Sequence, residues 1–134
     1  MSSRGKILIL WNDTKTVQSI QDQLAGDFEI ILDQDVGNGY EQALHFQPDC
    51  ILADIPLDNL AGINMLKKIR NTSGLESAGL LLLTDRNENR YASPIEGLDV
   101  DLCIAKPYLI EELTAALIGM IQVHRRCQKL LTTE

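Results

Sequence analysis

The stretch Pro48-Asp49-Cys50-Ile51-Leu52-Ala53-Asp54 contains a turn pair, a short apolar run and a carboxylate that ends the run. A short apolar run bounded by turn residues is typical of a buried β-strand. The predicted strand therefore places Asp54 at its carboxyl end. Three other short apolar runs also end in polar residues: residues 7–11 before Asn12-Asp13, residues 80–83 before Thr84, and residues 102–105 before Lys106-Pro107.

Segments with helical periodicity separate these runs. A further strand is expected at residues 28–32, and a short or kinked helix at residues 86–97, where Pro94 interrupts the polar segment. Alternating strands and helices predict a single-domain, doubly wound α/β fold with a five-stranded parallel sheet and five helices. The residues at helical spacing that predict the inner faces of these helices are Val17, Ile20 and Leu24; Tyr40, Ala43 and Leu44; Ile63, Leu66 and Ile69; and Leu113, Leu117, Met120, Ile121, Val123 and His124.

Parallel strands bring their carboxyl ends to one edge of a sheet, where ligands bind in folds of this kind. That edge would hold Asp13, Asp54, Thr84 and Lys106, with Asn12 beside them. Two carboxylates, an amide, a hydroxyl and an ammonium can together bind a divalent cation and a phosphoryl group. The sequence therefore predicts a phosphoryl site. Asp13 or Thr14 could also serve as the N-cap of the first helix, a role that does not exclude metal binding by Asp13.

The bulk properties exclude several functions. A chain of 134 residues with 45% hydrophobic content suits one domain with a real core. The formal net charge of -7 argues against nucleic acid or an anionic membrane as a partner. The chain has no apolar run of the ~20 residues needed to span a bilayer. It also lacks an apolar signal segment after Met1, so we expect a cytoplasmic protein.

The three cysteines, Cys50, Cys103 and Cys127, form no C-x-x-C pair. Cys50 and Cys103 fall in predicted buried strands, where cysteine behaves as a small apolar residue. All three are therefore interpreted as structural or incidental thiols.

Over residues 6 to about 121 the sequence resembles a two-component response-regulator receiver domain. Residues 48–57 are similar to the phosphoacceptor strand and loop of that family. Gly62 and residues 65–70 are similar to its third helix, and the spacings from Asp54 to Thr84 and to Lys106-Pro107 also match. The resemblance implies the flavodoxin-like strand order 2-1-3-4-5. It also implies a receiver domain at residues 1–124, with residues 125–134 as a helix end or the start of a linker.

The resemblance also implies roles for individual residues. Asp54 would be the phosphoacceptor, and Asp13 and Asp54 would hold Mg²⁺ together with the backbone carbonyl of Ile55. Asn12 would be a weak ligand or would act through water. The implied activity is signalling, with catalysis limited to the domain's own phosphotransfer and dephosphorylation.

Two more residues complete the implied site. Thr84 would hydrogen-bond a phosphoryl oxygen, and Lys106 would pair with Asp54 before the reaction and with the phosphate afterwards. In the family, the peptide bond between this lysine and the following proline is cis. The implied phosphodonor is a histidine kinase or phosphotransfer protein. An output partner or output domain would read the result, and homodimerisation is left open.

Four positions depart from the family pattern. Asn12 replaces an acid, Cys103 replaces the aromatic switch, Asp85 replaces a small residue, and Pro94 disturbs the helix on the usual output face. A shorter first strand would instead align Trp11-Asn12 with the acidic pair and would remove most metal binding.

Because of these departures, two alternative functions are considered. The first is a pseudo-receiver, an interaction module that works without phosphorylation. The second is a hydrolase that passes through an aspartyl phosphate, but it would need an acid two residues after Asp54, where Pro56 stands.

Overall fold

The computed structural model describes residues 5–10, 14–33, 36–55, 59–84 and 98–132. Within these ranges the chain forms five parallel strands and four helices, and the sheet order β2-β1-β3-β4-β5 confirms the expected topology. The predicted helix at residues 86–97 lies outside the described residues. The elements are β1 Lys6–Leu10, α1 Thr14–Leu24, β2 Glu29–Asp33, α2 Val36–Phe46, β3 Cys50–Ala53, α3 Leu60–Arg70, β4 Gly79–Thr84, β5 Leu102–Ala105 and α4 Ile110–Thr132.

The central strands are buried on both faces, which explains why their sequences are continuously apolar rather than alternating. In β1, Leu8 and Leu10 contribute to a core cluster that also contains buried residues of α2 and α3. Ile7 and Ile9 point to the other face, into a cluster with residues of α1 and α4. This alternation follows from the two-residue period of a strand.

The helices bury most of the predicted apolar faces, including Val17, Ile20 and Leu24 of α1 and Ile63, Leu66 and Ile69 of α3. Two residues assigned to inner faces are instead exposed: Leu44 at 38% and Val123 at 63%. Neither departure changes the fold.

The exposure of Leu44 follows from the start of α2 at Val36 and from close packing at Gly39. Gly39 lies inside the helix, and a Cβ built there would come 2.5 Å from the sulfur of Met65. The absence of a side chain at Gly39 therefore lets α2 pack closely against α3. With Gly39, Ala43 and Phe46 buried, Leu44 is on the other side of α2.

Strand β5 is less buried than predicted, because it is an edge strand in the order of the sheet. Leu102 is 40% exposed, and Cys103 is half-buried rather than buried. Cys50 on β3 is fully buried, and this burial raises the pKa of its thiol, so the interpretation of Cys50 as a structural residue is supported. Among the described residues, no helix is both long and apolar enough to cross a bilayer.

Two glycines in helices should respond oppositely to the same substitution. A Cβ at Gly62 would lie 2.6 Å from Cγ2 of Ile55, whereas a Cβ at Gly119 would meet no atom within 4 Å. We expect Gly62→Ala to lower the free energy of unfolding by about 1–3 kcal/mol through overpacking. We expect Gly119→Ala to raise it by about 0.5–1 kcal/mol through helix propensity. Urea denaturation of both variants measures the difference, and a stabilised Gly62→Ala protein would contradict the predicted contact.

Candidate functional site

The carboxyl edge of the sheet brings three of the predicted site residues to adjacent strand ends. The amide of Asp54 donates to the carbonyl of Leu10 at 3.2 Å, which holds the first residue after β3 against the end of β1. On the other side, the amide of Lys106 donates to the carbonyl of Thr84 at 2.8 Å. Backbone pairing therefore fixes the Cα positions of Asp54, Thr84 and Lys106 along one edge of the sheet.

Asp54 and Lys106 form an ion pair at this edge. Nζ of Lys106 lies 2.7 Å from Oδ1 of Asp54, and the two side chains are 34% and 13% exposed. The Lys106–Pro107 peptide bond is cis, as the family resemblance implies. The partial burial of both groups reduces solvent screening, so the ammonium and the carboxylate attract each other more than a fully exposed pair would.

Thr84 occupies the end of β4, between the strands that lead to Asp54 and Lys106. Its side chain is 1% exposed, and its Oγ1 has no hydrogen-bond partner among the described residues. A buried hydroxyl without a partner costs about 1–3 kcal/mol. The arrangement therefore provides a donor for a group that enters the cleft.

The Thr84 hydroxyl, which has no partner among residues 5–10, 14–33, 36–55, 59–84 and 98–132, leads to a prediction for Thr84→Val. Because valine has a similar shape without the hydroxyl, the variant should be more stable to unfolding by about 1 kcal/mol in the absence of ligands. The same substitution should weaken retention of a bound phosphoryl analogue such as beryllofluoride. Thermal melts with and without Mg²⁺ and beryllofluoride test both effects, and a destabilised free protein would show that Oγ1 has a partner.

The backbone after Asp54 is held in place by the start of α3. Oδ1 of Asn59 caps this helix by accepting from the amide of Gly62 at 3.0 Å. The fully buried Ile55 packs against Gly62. The carbonyl of Ile55 and the carboxylate of Asp54 are hard oxygen donors of the kind that Mg²⁺ prefers.

The other predicted metal ligands, Asn12 and Asp13, lie outside the described residues, as do Trp11, Asp85 and Pro94. Within the described ranges, no three acidic, histidine or cysteine side chains are grouped as a metal site. The metal-binding roles of Asn12 and Asp13 therefore stay predictions. The alternative in which Trp11-Asn12 aligns with the acidic pair of the family also concerns residues 11–13, which the structure does not describe.

Sequence reasoning missed a second polar cluster, at the amino edge of the sheet. Asp49 precedes β3 and is 6% exposed. Its Oδ1 lies 2.7 Å from Nδ1 of His124, and its Oδ2 accepts from Nε of Arg125 at 3.0 Å and from the amide of Lys6 at 2.9 Å. The side chain of His124 is 12% exposed, and both His124 and Arg125 pair with Asp49.

The electrostatics of Asp49 follow from these contacts. Burial raises its pKa, but the hydrogen bonds from His124, Lys6 and Arg125, together with the charge of Arg125, outweigh burial and leave the pKa below its ordinary value. The turn pair Pro48-Asp49 gave no sign of this cluster. The available signal was the basic group at residues 124–126, but the sequence does not show which acid it would meet.

The parallel sheet, its strand order and the polar carboxyl edge define a flavodoxin-like α/β domain of the receiver class. Residues 7–118 match the sequence model described as the response regulator receiver domain, so the chain belongs to this family. It is a receiver domain of two-component signalling. Receiver domains are signalling modules rather than conventional enzymes.

Two bacterial relatives illustrate the similarity. The response regulator ArlR of Staphylococcus saprophyticus is 30% identical over 120 residues, which cover 87% of this chain and 52% of that protein. The transcriptional regulatory protein DltR of Streptococcus agalactiae is 30% identical over 113 residues, covering 82% and 49% respectively. The chain therefore spans about half the length of the curated relatives it matches.

A solved structure supports the fold assignment. The chemotaxis response regulator CheY4 of Vibrio cholerae superposes with a TM-score of 0.72 at 19% identity, covering 87% of this chain and 98% of that one. At this identity the likeness concerns the fold alone.

Proposed function

We propose that this domain accepts a phosphoryl group on Asp54 in a reaction that requires Mg²⁺. The observation that carries the proposal is the 2.7 Å pair between Lys106 and Asp54. The buried hydroxyl of Thr84, which has no partner among the described residues, supports it from the adjacent strand end. A carboxylate with a fixed cation on one side and a hydroxyl donor nearby is suited to nucleophilic attack on phosphorus.

In the proposed reaction, an oxygen of Asp54 attacks the phosphorus of the donor, and the bond from phosphorus to the donor's leaving group breaks. Lys106 then moves its hydrogen bonds from the carboxylate to the new phosphoryl oxygens, and the hydroxyl of Thr84 donates a hydrogen bond to one of them. Bound Mg²⁺ would neutralise charge on the phosphoryl oxygens. Asp13, Asp54 and the Ile55 carbonyl would hold this ion, with Asn12 as a weak or water-mediated ligand.

The phosphodonor would be a histidine kinase or a phosphotransfer protein in the cytoplasm. The product carries about 1.5–2 additional negative charges at the cleft. Lys106, Thr84 and the metal would reorganise around this charge and bias a surface that an output partner or output domain reads.

The conventional aromatic switch is replaced by Cys103, which packs beside the α2–α3 core cluster. Because the Cys103 side chain is small, we expect phosphorylation to change the output surface less, or through other residues, than an aromatic switch would. Residues 1–124 would form the receiver unit, and the continuation of α4 past residue 124 to Thr132 would lead towards the output.

The experiment is incubation with Mg²⁺ and acetyl phosphate, followed by intact-mass measurement and mapping of the modified residue. We expect one added phosphoryl group on Asp54, none without Mg²⁺, and none on Asp54→Asn. If neither the wild-type protein nor the variant gains mass, and calorimetry detects no Mg²⁺ binding, the pseudo-receiver hypothesis takes the place of this proposal.

A further inference from the structure

The polar cluster at the amino edge of the sheet extends to a serine. Oγ of Ser77, just before β4, lies 3.3 Å from Nε2 of His124, whose Nδ1 lies 2.7 Å from Oδ1 of Asp49. The two imidazole nitrogens thus face a hydroxyl on one side and a carboxylate on the other. We propose that Ser77 is an activated nucleophile that takes an acyl group from small, apolar esters, with His124 as its base.

The contacts of the His124 ring match those that a general base makes with a serine and a carboxylate. A carboxylate that accepts from Nδ1 fixes the imidazole tautomer and leaves Nε2 to accept the proton of the serine. Asp49 is itself held in place by the amide of Lys6 and by Arg125. The distance of 3.3 Å between Oγ of Ser77 and Nε2 of His124 is close to the usual range for a nucleophile and its base. This distance is often longer before substrate binds.

A cavity beside Ser77 supplies space for a substrate. Its volume is about 200 Å³. Ser77 itself is exposed, so its hydroxyl can be reached from solvent. Cavities that enclose drug-sized ligands are usually about 300–1,000 Å³, so this one suits a short acyl group. The lining residues are Ser77, Gly79, Asp101, Met120, Val123, His124 and Cys127.

The proposed step is balanced without an additional reagent. Oγ of Ser77 forms a bond to the ester carbonyl carbon, and its proton passes to Nε2 of His124. The bond from that carbon to the alcohol oxygen breaks, and the alcohol leaves with the proton from His124. The serine ester that remains is released by water in the same way, so no group is oxidised or reduced.

A purely structural role for these contacts makes a different prediction. The pairing of His124 and Arg125 with Asp49 would fasten α4 to the sheet whether or not Ser77 reacts. Ser73 offers a matched comparison, because it is an exposed serine in the same connection between α3 and β4. Only an activated Ser77 should differ from Ser73 in reactivity.

The experiment treats the whole chain with p-nitrophenyl acetate at neutral pH and maps the acetylated residues by peptide mass spectrometry. We expect acetylation of Ser77 about 100-fold faster than of Ser73, the lower range for a positioned general base. Ser77→Ala should abolish the modification, Ser73→Ala should leave it unchanged, and His124→Gln should slow it to the rate of Ser73. Equal labelling of the two serines, or acetylation confined to Cys127 and lysines, would overturn the proposal.

Further measurements distinguish a variant that has lost the positioning of His124 from one that has lost its fold. Thermal melts of each variant show whether it is folded, and the Ser77-to-Ser73 ratio within the wild-type chain needs no variant at all. For Asp49→Asn, the pH dependence of Ser77 acetylation is measured on protein shown to be folded. A changed profile supports positioning of His124 by Asp49, and an unchanged one would contradict it.

Discussion

Lys106→Met is expected to slow phosphoryl transfer to Asp54 by about 100-fold or more. Removing one preorganised donor that stabilises charge in a transition state has an effect of this size. The ammonium lies 2.7 Å from Oδ1 of Asp54, whose side chain is 13% exposed, so the charge that methionine removes lies directly beside the attacking carboxylate. Methionine keeps much of the length and the apolar body of lysine while removing the charge.

The same variant should bind Mg²⁺ more tightly than the wild-type protein. The Lys106 ammonium occupies an oxygen of Asp54 and repels a divalent cation that approaches the same carboxylate. A slower reaction combined with stronger metal binding would distinguish loss of the proposed role from general damage to the site.

Two measurements on the same samples test this expectation. The rate of phosphoryl transfer from acetyl phosphate gives the kinetic effect, and calorimetric titration gives the Mg²⁺ affinity. Lys67→Met on α3 is the control, because it makes the same charge change away from the carboxyl edge. A Lys106→Met protein that reacts at the wild-type rate would remove Lys106 from the mechanism, whatever its effect on Mg²⁺.

The fold was largely predictable from the sequence, because each central strand is a short apolar run that ends in a polar residue. The parallel arrangement followed from the alternation with helices, whereas the strand order came only from the family resemblance. The approach of Lys106 to Asp54 was also expected, since both follow predicted strands. The distance between them depends on the backbone pairing of β4 and β5 and could not be read from spacing.

The errors have physical causes that a single sequence conceals. Leu44 carries the apolar signature of an inner face, but close packing at Gly39 fixes α2 in another orientation. The partner of Asp49 is His124, more than half the chain away, and no local pattern connects them. Charged residues with distant partners are therefore where sequence reasoning was weakest in this domain.

Asp49→Asn is expected to lower the free energy of unfolding by about 3 kcal/mol, the lower range for breaking a buried charged pair from one side. The carboxylate is 6% exposed, and it connects the start of β1 to α4 through three hydrogen bonds. Asparagine preserves the size of the side chain, but it replaces one acceptor oxygen with a donor that faces other donors. Asp22→Asn on α1 removes the same charge from an exposed helix position and should change stability by less than about 0.5 kcal/mol.

The effect of Asp49 should depend on pH in a defined direction. Its pKa is lowered in the folded protein, so its carboxylate contributes stability that is fully present above the unfolded value of about 3.9. This contribution is lost as the pH falls through the folded pKa. Urea denaturation of wild type and Asp49→Asn from neutral pH down to strongly acidic buffers should therefore show two curves that converge at low pH. A constant difference at all pH values would mean that the shape of Asp49, rather than its charge, stabilises the packing of α4 against the sheet.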